Sequence, residues 1–289
     1  FCAADPAMAA TCGAATSQGT APSGWQTYCW LDFSTYNDVT ARSGSGQNFS
    51  FTLTDGSTLT FNLKAASTAA TAVNAIVAPS WSGAAVGNTA FLGIPGQPVL
   101  YTTTDGSTVT LTISAITITP PAGVSSVSAY SFVAADAEST NENESLKFVT
   151  NGSNWTVLDQ VDPISGTTYP SISGSGTNTF TETGAPGTVG GYIVGSNSPT
   201  TVTTTLKAGG LQGVMFAVRF ASIRLNKVIT GARINANDQF TFRISATSTG
   251  SVLASGTTSG TGNGPFTAAA ISTASGIPLT LSEVMAGGS

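Results

Sequence analysis

Residues 47–63 read QNFSFTLTDGSTLTFNL, and this stretch decides the fold. Phe49, Phe51 and Leu53 occupy alternate positions, Asp55-Gly56 follows, and Leu59, Phe61 and Leu63 resume the alternation. Successive strand side chains point to opposite faces, so this spacing gives each arm one apolar and one polar side. Asp-Gly tolerates the positive φ angles of a tight hairpin turn. The stretch predicts an antiparallel hairpin laid with its phenylalanines on a core.

Working outward, the same grammar recurs. TDGST at Thr104–Thr108, between VLYTT and TVTLTISAITIT, predicts a second hairpin. Leu146–Val149 and Trp155–Leu158 predict a third across Asn151-Gly152. Strands are also expected at Val127–Ala134, Thr177–Thr183, Gly191–Val194 and Thr200–Leu206. Leu211–Phe220 (LQGVMFAVRF) is nearly all apolar and reads as a strand buried on both faces. Ala65–Ala78 is the one stretch that reads as a helical turn, and Pro79–Pro98 as a long loop around Trp81 and Phe91. Trp25–Asn37 reads as a strand with one buried face, its aromatics belonging to the core. Residues 1–24 lack periodicity and read as an irregular N-terminal arm. From Ser222 five short strands at roughly ten-residue spacing predict a second, smaller sandwich with an open edge. The organisation expected is therefore all-β: an arm at 1–24, a sandwich at 25–221 and an incomplete module at 222–289.

Composition removes several classes of function. Asp, Glu, Lys and Arg make up 8% of the 289 residues, against roughly a quarter in an ordinary soluble domain. Net charge is −5 with nine scattered basic residues, too few to neutralise phosphates, so no nucleic-acid partner is expected. Histidine is absent, which excludes Ser-His-Asp and Cys-His catalysis and most zinc sites. No apolar run is long enough for a membrane-spanning helix. The chain opens without a signal-peptide pattern, which reads as a mature product. Cys2, Cys12 and Cys29 are the three cysteines. A disulfide between two of them is expected, as either Cys2–Cys12 or Cys12–Cys29, which suits an oxidising compartment.

Against that sparse background, FVAADAESTNENESLKFVT at Phe132–Thr150 concentrates Asp136, Glu138, Glu142 and Glu144. Short oxygen donors, Asn141 among them, fill the intervals. The residue types suit Ca²⁺, with Asp136 and Glu138 as the carboxylates, although the EF-hand pattern is not met. They also suit direct recognition of a glycan or protein, with Asp32 or Trp155 nearby. The bland alternative is a solvated loop whose acids brace a turn. Paired carboxylates could also serve a glycosidase, but acids packed along one loop usually serve solvation.

Five phrases carry a resemblance: WLDFSTYND (Trp30–Asp38), QNFSFTL (Gln47–Leu53), PSWSG (Pro79–Gly83), FVAADAESTNENES (Phe132–Ser145) and LQGVMFAVRFA (Leu211–Ala221). Together they resemble the lectin-like non-repetitive domain of CshA-type bacterial fibrillar adhesins. Residues 222–289 resemble the start of a prealbumin-like surface-protein module. The resemblance implies a secreted, cell-surface or extracellular protein that binds a glycan or matrix protein through a β-sandwich, and not an enzyme. The shortness of the second module suggests an alternative, a filament in which a neighbouring copy supplies a missing strand. Asn-Gly and Asp-Gly turns near Lys and Glu also suggest an intramolecular isopeptide bond, with Lys227 and either Asn235 or Glu283 as the groups to check.

Overall fold

The computed structural model describes residues 10–53, 56–79, 83–120, 130–162, 168–219, 221–247, 250–268, 271–273 and 278–287. Cys2, Asp55 and Trp81 lie outside them. The chain is nearly all β and divides into two compact units, 1–119 with 131–219, and 120–130 with 220–289.

The first unit is a β-sandwich. Its larger sheet runs in the order Gln47–Thr52, Thr58–Ser67, Thr108–Thr119, Thr201–Lys207, Ser145–Thr150, Thr179–Thr183, Ser171–Ser173. The first two strands are the expected hairpin, with Phe49 opposite Phe61 and Phe51 opposite Leu59. Alternation sends Leu59, Phe61, Leu63, Leu111, Ile113, Phe148, Phe180 and Val202 inward and leaves hydroxyls outward. The second sheet has the order Thr156–Val161, Gly191–Asn197, Ser131–Asp136, Gly213–Arg219, Tyr28–Leu31, with Val99–Thr102 also pairing to Gly213–Arg219. Aromatic contacts join the layers: Phe33 lies 5.7 Å from Phe51 and 6.2 Å from Phe216, and Phe180 lies 6.3 Å from Tyr192.

Gly213–Arg219 is buried on both faces, as its unbroken apolar run predicts. Its other face meets a further layer made by the loop Ala84–Ile94, where Phe91 sits edge-on to Tyr28 and Trp30 at 5.3 and 5.7 Å. That covering layer also corrects the reading of Trp25–Asn37. Tyr28–Leu31 is buried at every position, because the loop caps the face expected to meet water.

Four further expectations are revised. Residues 10–19 are not an irregular arm. Ala10–Gly13 pairs antiparallel with Tyr28–Leu31 and parallel with Gln47–Thr52, bridging the two sheets, and Ser17–Gly19 pairs with Ala90–Leu92. Of the two pairings expected, the disulfide formed is Cys12–Cys29, with a sequence separation of 17, and it ties this strand to the second sheet. A loop of that length is worth roughly 3 kcal/mol through the unfolded chain. No helix forms at Ala65–Ala78: Ala65 continues the inward alternation of Thr58–Ser67, and Val73–Ile76 is a strand, so tertiary pairing overrides alanine propensity. The turn at 104–108 joins strands of different sheets, and so does Asn151-Gly152, so neither closes a hairpin. Asn151 instead accepts the backbone N–H of Thr200 and Thr201 at 2.9 Å each.

In the second unit, Gln239–Ala246 lies between Val252–Thr257 and Leu279–Gly287, while Ala221–Ile223 pairs with Ile271–Thr273 and Asn226–Lys227 with Phe266–Thr267. Its core is small: Phe242, Ile244, Ala254 and Ala268. Leu279–Gly287 pairs on one side only among the described residues and exposes Leu281, Val284 and Met285.

Candidate binding site

The acidic stretch begins where Ser131–Asp136 ends, at the rim of the sandwich. Asp136 is fully buried: one oxygen accepts the Glu138 N–H at 2.9 Å and the other the Thr140 hydroxyl at 2.9 Å. Gln212 Nε2 donates to the same Thr140 hydroxyl at 3.1 Å, and Thr188 Oγ1 donates to the Thr140 carbonyl at 2.8 Å. Asp136 is therefore the root of a hydrogen-bonded knot joining three loops. Across the sheets it faces Glu182, whose two buried oxygens make no hydrogen bond of normal geometry. Burial, the largest cause, pushes Asp136 up to about 7, with its hydrogen bonds opposing and the Glu144 charge adding. Burial and the neighbouring Asp136 raise Glu182 well above the ordinary carboxylate range. Two carboxyls this close and this dry cannot both ionise.

Glu144 closes the next turn. Its Oε2 accepts the Asn141 N–H at 2.8 Å while its own N–H donates to the Asn141 carbonyl at 3.0 Å. Its Oε1 accepts Gly209 and Gly210 N–H at 3.3 and 3.1 Å. Asn143, at φ 60, takes the left-handed position of this turn, which asparagine tolerates. Gly184 packs so closely that an added Cβ would lie 1.9 Å from the Asn141 carbonyl oxygen. Glu138 turns back on the Ser139 N–H at 2.8 Å.

Beside this braced frame lies a cleft of about 420 Å³, lined by residues 142–145, Thr181, Thr183, 184–186 and Lys207. Of the expected site residues, Glu142 is exposed on the cleft wall, and Asn141 is half-buried behind it. Asp136 and Glu144 are internal braces. Asp32 and Trp155 do not join them. Asp32 accepts the N–H of Ser34 and Gln97 at 3.0 and 2.8 Å, holding a distant loop, and Trp155 is fully buried against Phe148 at 5.9 Å. Asn143, Thr181, Thr183 and Lys207 line the cleft without having been singled out; their contribution depends on strands brought together from three parts of the chain.

The donor set does not fit Ca²⁺ at Asp136 and Glu138. Both Asp136 oxygens are engaged by protein donors, and no group of three or more Asp, Glu, His or Cys side chains placed to hold a metal gathers among the described residues. In the second unit, Lys227 Nζ pairs with Glu283 at 2.8 Å beside a cavity of about 270 Å³, whereas the Asn235 side-chain carbonyl accepts the Asn237 N–H at 3.0 Å.

The model of the surface adhesin CshA non-repetitive domain 2 matches residues 26–220. The chain belongs to that family. A prealbumin-like fold domain model matches residues 222–289. No curated protein and no solved structure gives a significant match. The adhesin family and the prealbumin-like modules are non-enzymatic in general and point to a cell-surface or extracellular setting with extracellular ligands. No helix among the described residues is long and apolar enough to cross a membrane.

Proposed function

We propose that this adhesin domain, secreted and displayed at a bacterial surface, binds a glycan or an extracellular protein segment in the cleft beside the acidic stretch. The observation that carries the reading is the cleft itself: a recess of about 420 Å³ whose rim residues are exposed while its frame is hydrogen-bonded. Glu142 and Asn143 offer an acceptor and an amide on one wall, and Lys207, Thr181 and Thr183 offer donors on the other. Rigid framing lowers the ordering cost of binding. Hydrolysis is disfavoured on the same geometry. A glycosidase needs two available carboxyls, and of the two glutamates in the cleft Glu144 is occupied by three backbone N–H groups.

The test is a glycan array and a panel of matrix proteins probed with the wild-type chain and with Glu142→Ala/Asn143→Gly, glycine keeping the left-handed backbone of position 143. Loss of at least about tenfold in affinity with an unchanged melting temperature supports the cleft. Equal binding by both proteins removes it, and release of shortened glycan by the pure chain would overturn the non-enzymatic reading.

A second reading rests on Leu279–Gly287. An edge strand with exposed Leu281, Val284 and Met285 is a template for pairing with another chain, which is what a filament of copies would use. Sedimentation and electron microscopy of the purified chain test it, and a monodisperse monomer at high concentration would dispose of it.

A further inference from the structure

The outward face of the larger sheet carries almost nothing but hydroxyls and lysines. Thr58–Ser67, Thr108–Thr119, Thr201–Lys207, Ser145–Thr150 and Thr179–Thr183 are hydrogen-bonded neighbours in that order. Their pairing aligns the outward positions into rows. Thr112 stands between Lys64 and Thr203, Lys147 between Thr205 and Thr181, and Lys207 between Thr108 and Ser145. The chain has four lysines, and Lys64, Lys147 and Lys207 are three of them. Among the described residues only the fourth, Lys227, has a carboxylate partner. The single acidic residue in these five strands is Glu182, which points into the core. A protein of net charge −5 thus presents a sheet face whose charged outward side chains, among the described residues of these five strands, are all lysines, with Glu142 exposed only at the rim where Lys207 enters the cleft.

Strand geometry sets the spacing. Lys147 and Lys207 are diagonal neighbours on adjacent strands, so their Cβ atoms lie about 7–8 Å apart. Lys64 stands three strands from Lys147, about 15 Å away. Threonine hydroxyls, able to donate and accept, fill the intervals. The face runs directly into the cleft, because Ser145, Thr181, Thr183 and Lys207 belong to both.

We propose that this face docks a linear anionic polysaccharide, one whose sugars carry carboxylate or sulfate groups, with Lys64, Lys147 and Lys207 meeting the charges and the threonine rows meeting the sugar hydroxyls. Charge complementarity selects an anionic partner. A protein partner fits less well: the five strands expose Val149, Ala66 and Ala115 on this face, without the aromatic or arginine anchors that carry protein interfaces. Single-stranded nucleic acid fits less well because the face has no aromatic on which bases could stack. The proposal rests on the adhesin reading but not on ligand binding by Glu142 and Asn143.

The test uses the full chain and four probes: polygalacturonate, its methyl ester, dextran and single-stranded DNA. Binding to polygalacturonate is expected and binding to its methyl ester is not. Affinity should fall with salt, with a slope of log K against log salt no steeper than about −3, one counterion per lysine. Lys64→Gln/Lys147→Gln/Lys207→Gln should weaken binding at least about tenfold without moving the melting temperature, and Lys227→Gln should leave binding unchanged. Equal binding to the methyl ester, equal binding to DNA, or a triple variant as good as wild type would each overturn the proposal. Glu142→Ala/Asn143→Gly serves as the separating control. If it retains polygalacturonate binding while losing a neutral glycan or protein ligand, the two sites stand independently. Because Lys207 also lines the cleft, Lys64→Gln/Lys147→Gln is the variant that separates the two: if it binds polygalacturonate as well as wild type, the face falls and the cleft remains.

Discussion

Asp136, Glu138, Glu142 and Glu144 sit close together along the chain, whereas Lys64, Lys147 and Lys207 come from three distant segments and meet on one sheet face. The first group stands out in the sequence, but folding disperses it: Asp136 and Glu144 turn inward to hold loops, Glu138 folds back on its own backbone, and Glu142 alone is fully exposed. The second group is inconspicuous in the sequence, and pairing of strands concentrates it. Charge that is local in sequence need not be a surface, and a surface need not be local in sequence. The contrast separates two roles for charge, bracing and display, and each role has its own response to mutation.

The largest effect should come from the brace. Glu144→Ala removes the buried carboxylate that accepts the N–H groups of Asn141, Gly209 and Gly210 and ties their two loops together. Hydrogen bonds to a charged group are worth about 1.5–3 kcal/mol each gross of relaxation, so a loss of about 2–4 kcal/mol in unfolding free energy is expected. Glu142→Ala, two residues away, should stay within about 0.5 kcal/mol. Urea titration of both variants checks the pair, and equal losses would collapse the distinction between bracing and display.

Next comes Gly184→Ala. Its Cβ would lie 1.9 Å from the Asn141 carbonyl oxygen, so the acidic turn must move. Overpacking of this kind costs about 1–3 kcal/mol. The informative readout is ligand affinity, since displacing this turn also displaces Glu142. Destabilisation with intact binding would show that the cleft wall is not fixed by this contact.

These two residues also mark what the sequence made legible. Period-two alternation at Phe49–Leu63 identified the hairpin and the all-β class because the signal is local and repeats. The run LQGVMFAVRF identified a doubly covered strand for the same reason. Asp105-Gly106 and Asn151-Gly152 misled because a turn tolerating positive φ has one local chemistry whether its strands pair or part into different sheets. The strand at Ala10–Gly13 escaped notice because four residues carry too little periodicity; its place depends on two partners and a disulfide far along the chain. The acidic stretch was visible as composition, but which carboxylate faces water depends on Gly209, Gly210, Thr188 and Gln212, all remote in sequence. Glu182 gave no signal, since only alternation within TFTET decides that it points inward.

A smaller and pH-dependent effect isolates the buried pair. Burial raises Asp136 from 3.8 to about 7, and Glu182 moves in the same direction. With folded values above the unfolded ones, the stabilising contribution is complete below about pH 4, where both states are protonated. It is lost as pH rises towards about 7, because the unfolded chain releases protons that the native pair retains. Glu182→Gln removes one carboxyl and keeps the shape. It should raise stability by about 1 kcal/mol at pH 8 and flatten the profile between about pH 4 and 7. Thermal melts at several pH values check it; an unchanged slope would mean that Glu182 does not titrate with folding.

The smallest stability effect belongs to the lysine face, and there the smallness is the point. Lys64, Lys147 and Lys207 are exposed on strands already aligned by their neighbours and make no ion pair among the described residues. Replacing one with glutamine should change unfolding free energy by less than about 0.5 kcal/mol. Combining all three should remain near neutral, because Lys64 stands three strands from Lys147, and the diagonal Lys147–Lys207 pair is one of like charges that make no ion pair to lose among the described residues. A bracing residue loses stability first and binding as a consequence. A display residue loses binding alone. If the triple variant unfolds several kilocalories more easily, these lysines hold the sheet, and the division between charge that braces and charge that displays does not describe this molecule.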